Sequence, residues 1–236
     1  MIDYYETLRK DIRFVEGLNA CMNCGVCSAI CPAAEFFPYD PKKICNILQT
    51  KDNQLIEELL SSDYIWYCGQ CMSCKTRCPR GNTPGLLIST LRTLSQKLGL
   101  FTKSPKGRQQ YAIYKTVGES ILTKGYCTHA EMIKPELHPE QGQVWEWYHS
   151  NLEEIIDRLG GNLNKPGSGA LRKISDESIA EVNRIFEVTG GKNFFDTIDQ
   201  FSQQQAKEMG LETDSEPFSS YFMKIYTEQD DNSNVE

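Results

Sequence analysis

Eight cysteines stand in two blocks of the same spacing. The first block reads ACMNCGVCSAICPAA and places Cys21, Cys24, Cys27 and Cys31; the second reads YCGQCMSCKTRCPRG and places Cys68, Cys71, Cys74 and Cys78. Each is C-x2-C-x2-C-x3-C-P. Thiolates at three-residue steps can ligate three irons of one cube-shaped [4Fe–4S] cluster, and in two-cluster ferredoxins the fourth cysteine, held before proline, ligates the other cluster. The spacing therefore predicts two clusters, one on Cys21, Cys24, Cys27 and Cys78 and a second on Cys68, Cys71, Cys74 and Cys31. Structural zinc is the competing chemistry, but it needs C-x2-C pairs across a longer loop so that four thiolates surround one ion. The small residues Gly25, Gly69, Ser28 and Ser73 would let the backbone wrap a cube and aim N–H groups at its sulfur, one lever on reduction potential.

The remaining candidates carry less chemistry. Cys45 lies beside Ile44 and Leu48 on the apolar side of a helical pattern and reads as a buried structural thiol. Cys127 precedes His129 but has no place among eight filled ligand positions. His138 and His149 have no cysteine or carboxylate at ligand spacing and read as surface or loop residues. There is no G-x-G-x-x-G after a strand, no P-loop, no H-E-x-x-H and no nucleophile elbow. The expectation is an electron carrier with no catalytic residues of its own.

The elements that hold the blocks are expected to be mainly α-helical. Ile2, Tyr5, Leu8, Ile12 and Val15 recur at helical spacing ahead of the first block. Between the blocks, Asp40-Pro41 opens one helix with Ile44, Ile47 and Leu48 on its apolar face, and Leu55, Ile56, Leu59 and Leu60 mark another. Leu87, Leu91, Leu94 and Leu98 share a face of a helix that Gly99 ends, and a further helix fits between Pro105 and Gly125. More helical patterns follow around 144–159, 175–189 and 194–209. The last nine residues, EQDDNSNVE, are acidic and expected to be disordered. These parts group as a helical two-cluster ferredoxin domain over 1–127 and a helical C-terminal extension over 128–236.

The chain has 236 residues and a net charge of −7, which argues against a general nucleic-acid binder. No apolar run reaches the ~18 residues of a membrane span, and the start MIDYYETLRKDIRF lacks the apolar core of a secretory signal. A cytoplasmic location follows as the default, and there clustered cysteines serve metals or redox chemistry more often than disulfides. Charge is lopsided. Lys75, Arg77, Arg80, Arg92, Lys97, Lys103, Lys106, Arg108, Lys115 and Lys124 fall in a segment whose only acid is Glu119. Arg77 and Arg80 flank Cys78 and suit neutralisation of the anionic clusters. Lys103, Lys106 and Arg108 read as a docking face for an acidic partner, or as a solvated helix face.

The twin blocks, the spacer ending LLSSDYIWYCGQCMSC and the following CPRGNTPGLLISTLR together resemble the C subunit of heterodisulfide reductase and its relatives. HPEQGQVWEWY and GALRKISDESIAEVNRIFEVTGG are similar to the C subunit of heterodisulfide reductase-like complexes of sulfur-oxidising prokaryotes. The resemblance implies a wire between a cysteine-rich B subunit, where disulfide or sulfur chemistry occurs, and a flavin-containing A subunit. In the sulfur-oxidising branch it also implies sulfur on a lipoate-carrying protein as substrate. Two other functions stay open at this point: the iron–sulfur subunit of a quinone-linked dehydrogenase, and a non-redox, metal-stabilised scaffold.

Overall fold

The computed structural model describes residues 2–132, 134–214 and 218–228. Among these, every regular element is helical and there is no strand, as the periodicity predicts. Packing divides the chain into two compact units. The first runs from the N-terminus to Arg108 and includes Glu228; the second is Gln109–Thr227. The acidic C-terminal stretch lies outside the described residues except for Glu228.

The first unit begins with α1 (Tyr4–Leu8) and α2 (Ile12–Leu18), where a single helix is expected. Asp11 separates them: its carboxylate accepts from the Arg13 N–H at 2.9 Å and caps α2. The break resets the helical phase, so the core receives Tyr4, Leu8, Phe14 and Leu18 while Ile2, Ile12 and Val15 stay exposed. After α3 (Val26–Ala29), the spacer folds as α4 (Pro41–Thr50) and α5 (Asn53–Leu60), capped by Asp40 and Asp52. Ile44, Leu48, Ile56, Leu59 and Leu60 are buried, whereas Leu55, expected in the apolar stripe, is exposed.

Following α6 (Ser73–Arg77), the long α7 (Pro84–Lys97) runs through the core with Leu87, Ile88, Leu91 and Leu94 buried. Helix α2 crosses α7 at Gly17, where an added Cβ would meet the Leu87 Cβ at 2.8 Å and the Thr83 carbonyl at 3.1 Å. Only glycine allows so close an approach. These helices form one apolar core under both cysteine blocks.

Helix α8 (Pro105–Ile113) carries the chain across the division and continues through a π-helical turn, Tyr114–Gly118, into α9 (Glu119–Lys124), which Gly125 ends in the left-handed region. In the second unit, α10 (Gln143–Ser150) and α11 (Leu152–Arg158) replace the single pattern at 144–159. Next come α12 (Asp176–Val188) and α13 (Gly191–Glu208), close to their expected positions. Phe195 of α13 stacks on Tyr114 at 4.9 Å. The periodicity does not single out α14 (Ser220–Thr227), which buries Tyr221, Phe222 and Ile225.

Candidate metal centre

The two cysteine blocks fold alike around their second and third cysteines. The residue before the second cysteine is left-handed in both, Asn23 at φ 57° and Gln70 at φ 52°. So is the residue after it, Gly25 at φ 81° and Met72 at φ 60°. The third cysteine then lies in a short helix, α3 or α6, and these two helices pack together. Asn23, Gln70 and Met72 are not glycines, and left-handed backbone costs each about 1–2 kcal/mol. A fold keeps such cost where the geometry is used. Alternating left- and right-handed residues turn successive N–H groups to one side, making the concave anion-binding nests found at Fe–S sites.

The ligand candidates gather in two cavities. One is lined by Cys21, Cys24, Cys27 and Cys78, with Cys45, Lys42 and Arg80 also on its wall. The other is lined by Cys31, Cys68, Cys71 and Cys74, with Tyr39, Gly85 and Ile88. Each holds three cysteines of one block and the fourth of the other. Among the described residues, no three His, Cys, Asp or Glu side chains converge tightly enough to hold a single metal ion. Sulfur donors spread around a cavity fit a cluster of several irons better than one zinc. All ten cysteines are free thiols; Cys24 and Cys71, the second of each block, are exposed, and the other six ligand candidates are half-buried.

Backbone and hydroxyl donors reach the sulfurs. The Gln70 N–H donates to Cys68 Sγ at 3.4 Å. Burial pushes the Cys27, Cys31 and Cys74 thiols up, and N–H groups of Ser28, of Ala33 and Ala34, and of Gly85 respectively oppose it. Cys71 Sγ lies 3.4 Å from Ser73 Oγ, and that hydroxyl holds the exposed Cys71 thiol below its ordinary value. Ser28 hydrogen-bonds the Asp40 carboxylate, which also caps α4. Of the small residues singled out by sequence, the two serines thus hold the loops by their side chains as well.

Three residues outside the blocks complete the surroundings, and cysteine spacing points to none of them as such. Arg92 on α7 donates to the carbonyls of Ile65 at 2.8 Å, Trp66 at 2.9 Å and Cys68 at 2.6 Å, and lies 5.3 Å from the Trp66 ring. Burial lowers its pKa, opposed by the nearby Cys68. The Tyr39 hydroxyl is buried without a hydrogen-bond partner. After burial itself, the Cys68 thiolate is the strongest influence on that phenol and raises its pKa further, so it stays protonated. Cys45 is 1% exposed; burial, then Cys21 and Cys27, push its thiol up. Cys45 is buried as its helical position predicts, and it also adjoins the ligand candidates. The signal for Arg92 is a cation one turn beyond Ile88 on a core-facing helix.

Several other expectations resolve differently. Arg80 lines the first cavity, but Arg77 is exposed and lines neither. The expected docking trio does not form one open cationic face. Arg108 pairs with Glu228 at 3.2 Å with only 13% of its side chain exposed, Lys103 lies 4.0 Å from Glu57, and Lys106 sits 5.9 Å from the Phe37 ring. Carboxylates that meet these cations only in the fold are invisible to a count along the chain. His138 lies in a loop, as expected, and bonds Glu140 at 3.0 Å and Tyr226 at 3.2 Å, whereas His149 lies in α10 and packs against Trp145 and Tyr148. Cys127 is exposed and lines neither cavity. A groove of about 530 Å³ in the second unit, lined in part by Tyr111, Lys115 and Phe222, contains no cysteine.

Residues 17–82 match the family model of the 4Fe-4S dicluster domain. The chain is 32% identical over 157 residues to the C subunit of a ferredoxin:CoB-CoM heterodisulfide reductase of Methanosarcina acetivorans, covering 66% of this chain and 60% of that relative. A second C subunit of that organism, from a ferredoxin/F(420)H(2)-dependent CoB-CoM heterodisulfide reductase, is 34% identical over 55% of this chain and 71% of its own length. The C subunit of the ferredoxin:CoB-CoM heterodisulfide reductase of Methanosarcina mazei is 32% identical over 58% of this chain and 80% of its own. No helix among the described residues is long and apolar enough to cross a membrane. With a dicluster domain on its cysteine blocks and relatives of this identity and coverage, the chain belongs to the family of heterodisulfide reductase C subunits, iron–sulfur proteins of electron transfer.

Proposed function

We propose that this chain is a two-cluster electron relay in a heterodisulfide reductase-like complex. It passes electrons one at a time between a cysteine-rich B subunit and a flavin-containing A subunit, and the complex works in sulfur-compound oxidation. Cys21, Cys24, Cys27 and Cys78 would hold one [4Fe–4S] cluster, and Cys31, Cys68, Cys71 and Cys74 the other. Such clusters supply one-electron redox chemistry; the chain's residues supply position, hydrogen bonds and burial. The observation that carries this reading is the sorting of the cysteines into two cavities, each with three thiols of one block and one of the other. Family membership supports partner subunits. The segment HPEQGQVWEWY, His138–Tyr148, supports the sulfur-oxidising branch by resemblance. Free thiols throughout suit a cytoplasmic location.

Anaerobic reconstitution followed by iron, sulfide and zinc analysis tests the cofactor. About eight irons with matching acid-labile sulfide, as two [4Fe–4S] clusters hold, are expected; stoichiometric zinc without sulfide overturns the reading. Purification of the tagged chain from its source tests the partners: a soluble flavoprotein and a cysteine-rich protein are expected, and a membrane cytochrome in their place overturns it. A purified complex that reduces disulfides but oxidises no sulfur compound removes the sulfur-oxidation branch alone.

A further inference from the structure

The two cavities are alike in their thiols and unlike in what stands behind them. In each block the first cysteine offers two atoms to the surrounding protein, its sulfur and its carbonyl oxygen. At Cys21 the carbonyl accepts from the neutral amide of Gln49, Nε2 at 2.8 Å. At Cys68 the equivalent carbonyl accepts from the guanidinium of Arg92 at 2.6 Å. Beside the Cys21 sulfur stands the buried thiol of Cys45, on the wall of the first cavity. On the wall of the second cavity, with Cys68, stands the phenol of Tyr39, 5% exposed, its hydroxyl buried and without a hydrogen-bond partner.

Each difference has the same sign. A phenol O–H is a full hydrogen-bond donor and a thiol S–H a weak one, and a donor to a ligand thiolate withdraws electron density from the cluster and favours its reduced form. A half-buried cation does likewise through space. Its effect grows as the local dielectric falls, about fourfold between an effective ε of 80 and one of 20. The first cavity has cations of its own, the exposed Arg80 and Lys42, which is half-buried as Arg92 is; what sets Arg92 apart is its 2.6 Å hydrogen bond to the Cys68 carbonyl. The Asp40 carboxylate, which acts on Cys27, works against them.

We propose that the cluster of the second block is the higher-potential site, and that Tyr39 and Arg92 on that side, set against Cys45 and Gln49 on the other, make it so. The inference rests on the two-cluster reading above. An electron shared between the sites then resides at the second block. Its passage from the first is an intramolecular one-electron transfer in which one cluster is oxidised and the other reduced, with no proton moved, no bond made and no co-reactant required. Tyr39 and Arg92 are positioning residues here, since they act through Cys68.

The test is an anaerobic redox titration of the reconstituted full chain, followed by paramagnetic resonance, with iron and sulfide measured on each sample. The unaltered protein should show two reducible couples. Tyr39→Phe keeps the ring that packs 5.3 Å from Tyr64 and should lower the reduction equilibrium constant of the higher couple by about threefold or more, where tenfold is 59 mV for one electron. Arg92→Gln gives Cys68 the neutral donor that Cys21 already has, and should lower the same couple by more. Cys45→Ala should leave the higher couple in place. If Tyr39→Phe and Arg92→Gln move the lower couple, or neither couple, while iron content is retained, the ordering is overturned. A single reducible couple with about eight irons retained overturns the ordering alone, whereas about four irons or fewer overturns the two-cluster reading and the ordering with it.

Discussion

The guanidinium of Arg92 and the carbonyl of Cys68 meet at 2.6 Å, and the same side chain reaches the carbonyls of Ile65 and Trp66. One residue of α7 therefore fixes the turn that delivers the first sulfur of the second block. Replacing Arg92 by Met should leave three carbonyls without their donor. Leaving a buried partner unsatisfied costs about 1–3 kcal/mol, so urea denaturation should show a loss well beyond that of Lys75→Met, an exposed site expected to change stability by about 0.5 kcal/mol or less. Equal effects of the two substitutions would show that Arg92 does not hold the turn.

Packing beneath the blocks is tested at Gly17. A side chain there runs into Leu87 and the Thr83 carbonyl, so Gly17→Val should destabilise the first unit by about 1–3 kcal/mol, the usual range for overpacking. Thermal melts of the cluster-loaded protein would register it as a lower midpoint, with the exposed neighbour Glu16→Ala unchanged.

Exchange of ligands between the blocks predicts crossed damage. Cys78→Ser should disturb the spectroscopic signal that Cys21→Ser disturbs, and Cys31→Ser the one that Cys68→Ser disturbs. Signals that instead sort by block would show that each block closes its own site, whatever the cavities contain.

Arg108 offers a choice between docking and folding. Its pairing with Glu228 is largely shielded from water, so Arg108→Glu should lower stability by about 1–3 kcal/mol, somewhat below the 3–5 kcal/mol of a fully buried broken pair. Partner association rates should move little in comparison. A large loss of association rate with no loss of stability would restore this residue to a docking face.

The legible part of this protein is the part whose period or spacing is short. The two C-x2-C-x2-C-x3-C-P runs name eight of the nine cysteines that line the cavities, and the Leu87, Leu91, Leu94 stripe names the buried face of α7. Helix breaks are less legible. Asp11 divides what reads as one amphipathic run, because a capping carboxylate outweighs a periodic pattern over so few turns. Tyr39 and Arg92 are hidden for a different reason: each reaches Cys68 from a distant part of the chain, and nothing local to either residue announces that meeting. The charge on Lys103 and Arg108 misleads in the same way, since Glu57 and Glu228 answer it from far along the sequence.

His129 sets a pH dependence. The ring is 2% exposed, and burial first, then the Lys124 cation, hold its pKa below the ordinary imidazole value, against the pull of Glu131. Below that ordinary value the unfolded chain takes up a proton that the folded chain refuses, so stability falls as pH drops from the unfolded toward the depressed folded pKa. Thermal midpoints measured across the mildly acidic range should decline, and His129→Gln should flatten the decline. A midpoint that rises with acid would show that the ring gains a proton on folding.

The mixed lining of the cavities also orders events in time. Block one supplies only three of the four thiols that the proposed first cluster needs, and Cys78 must follow; the other cavity waits for Cys68, Cys71 and Cys74 to join Cys31. A nascent or truncated chain that stops inside the spacer can close neither. Under the proposed ligand set, neither cluster can gain its fourth thiolate until both blocks have been translated and α3 packs on α6.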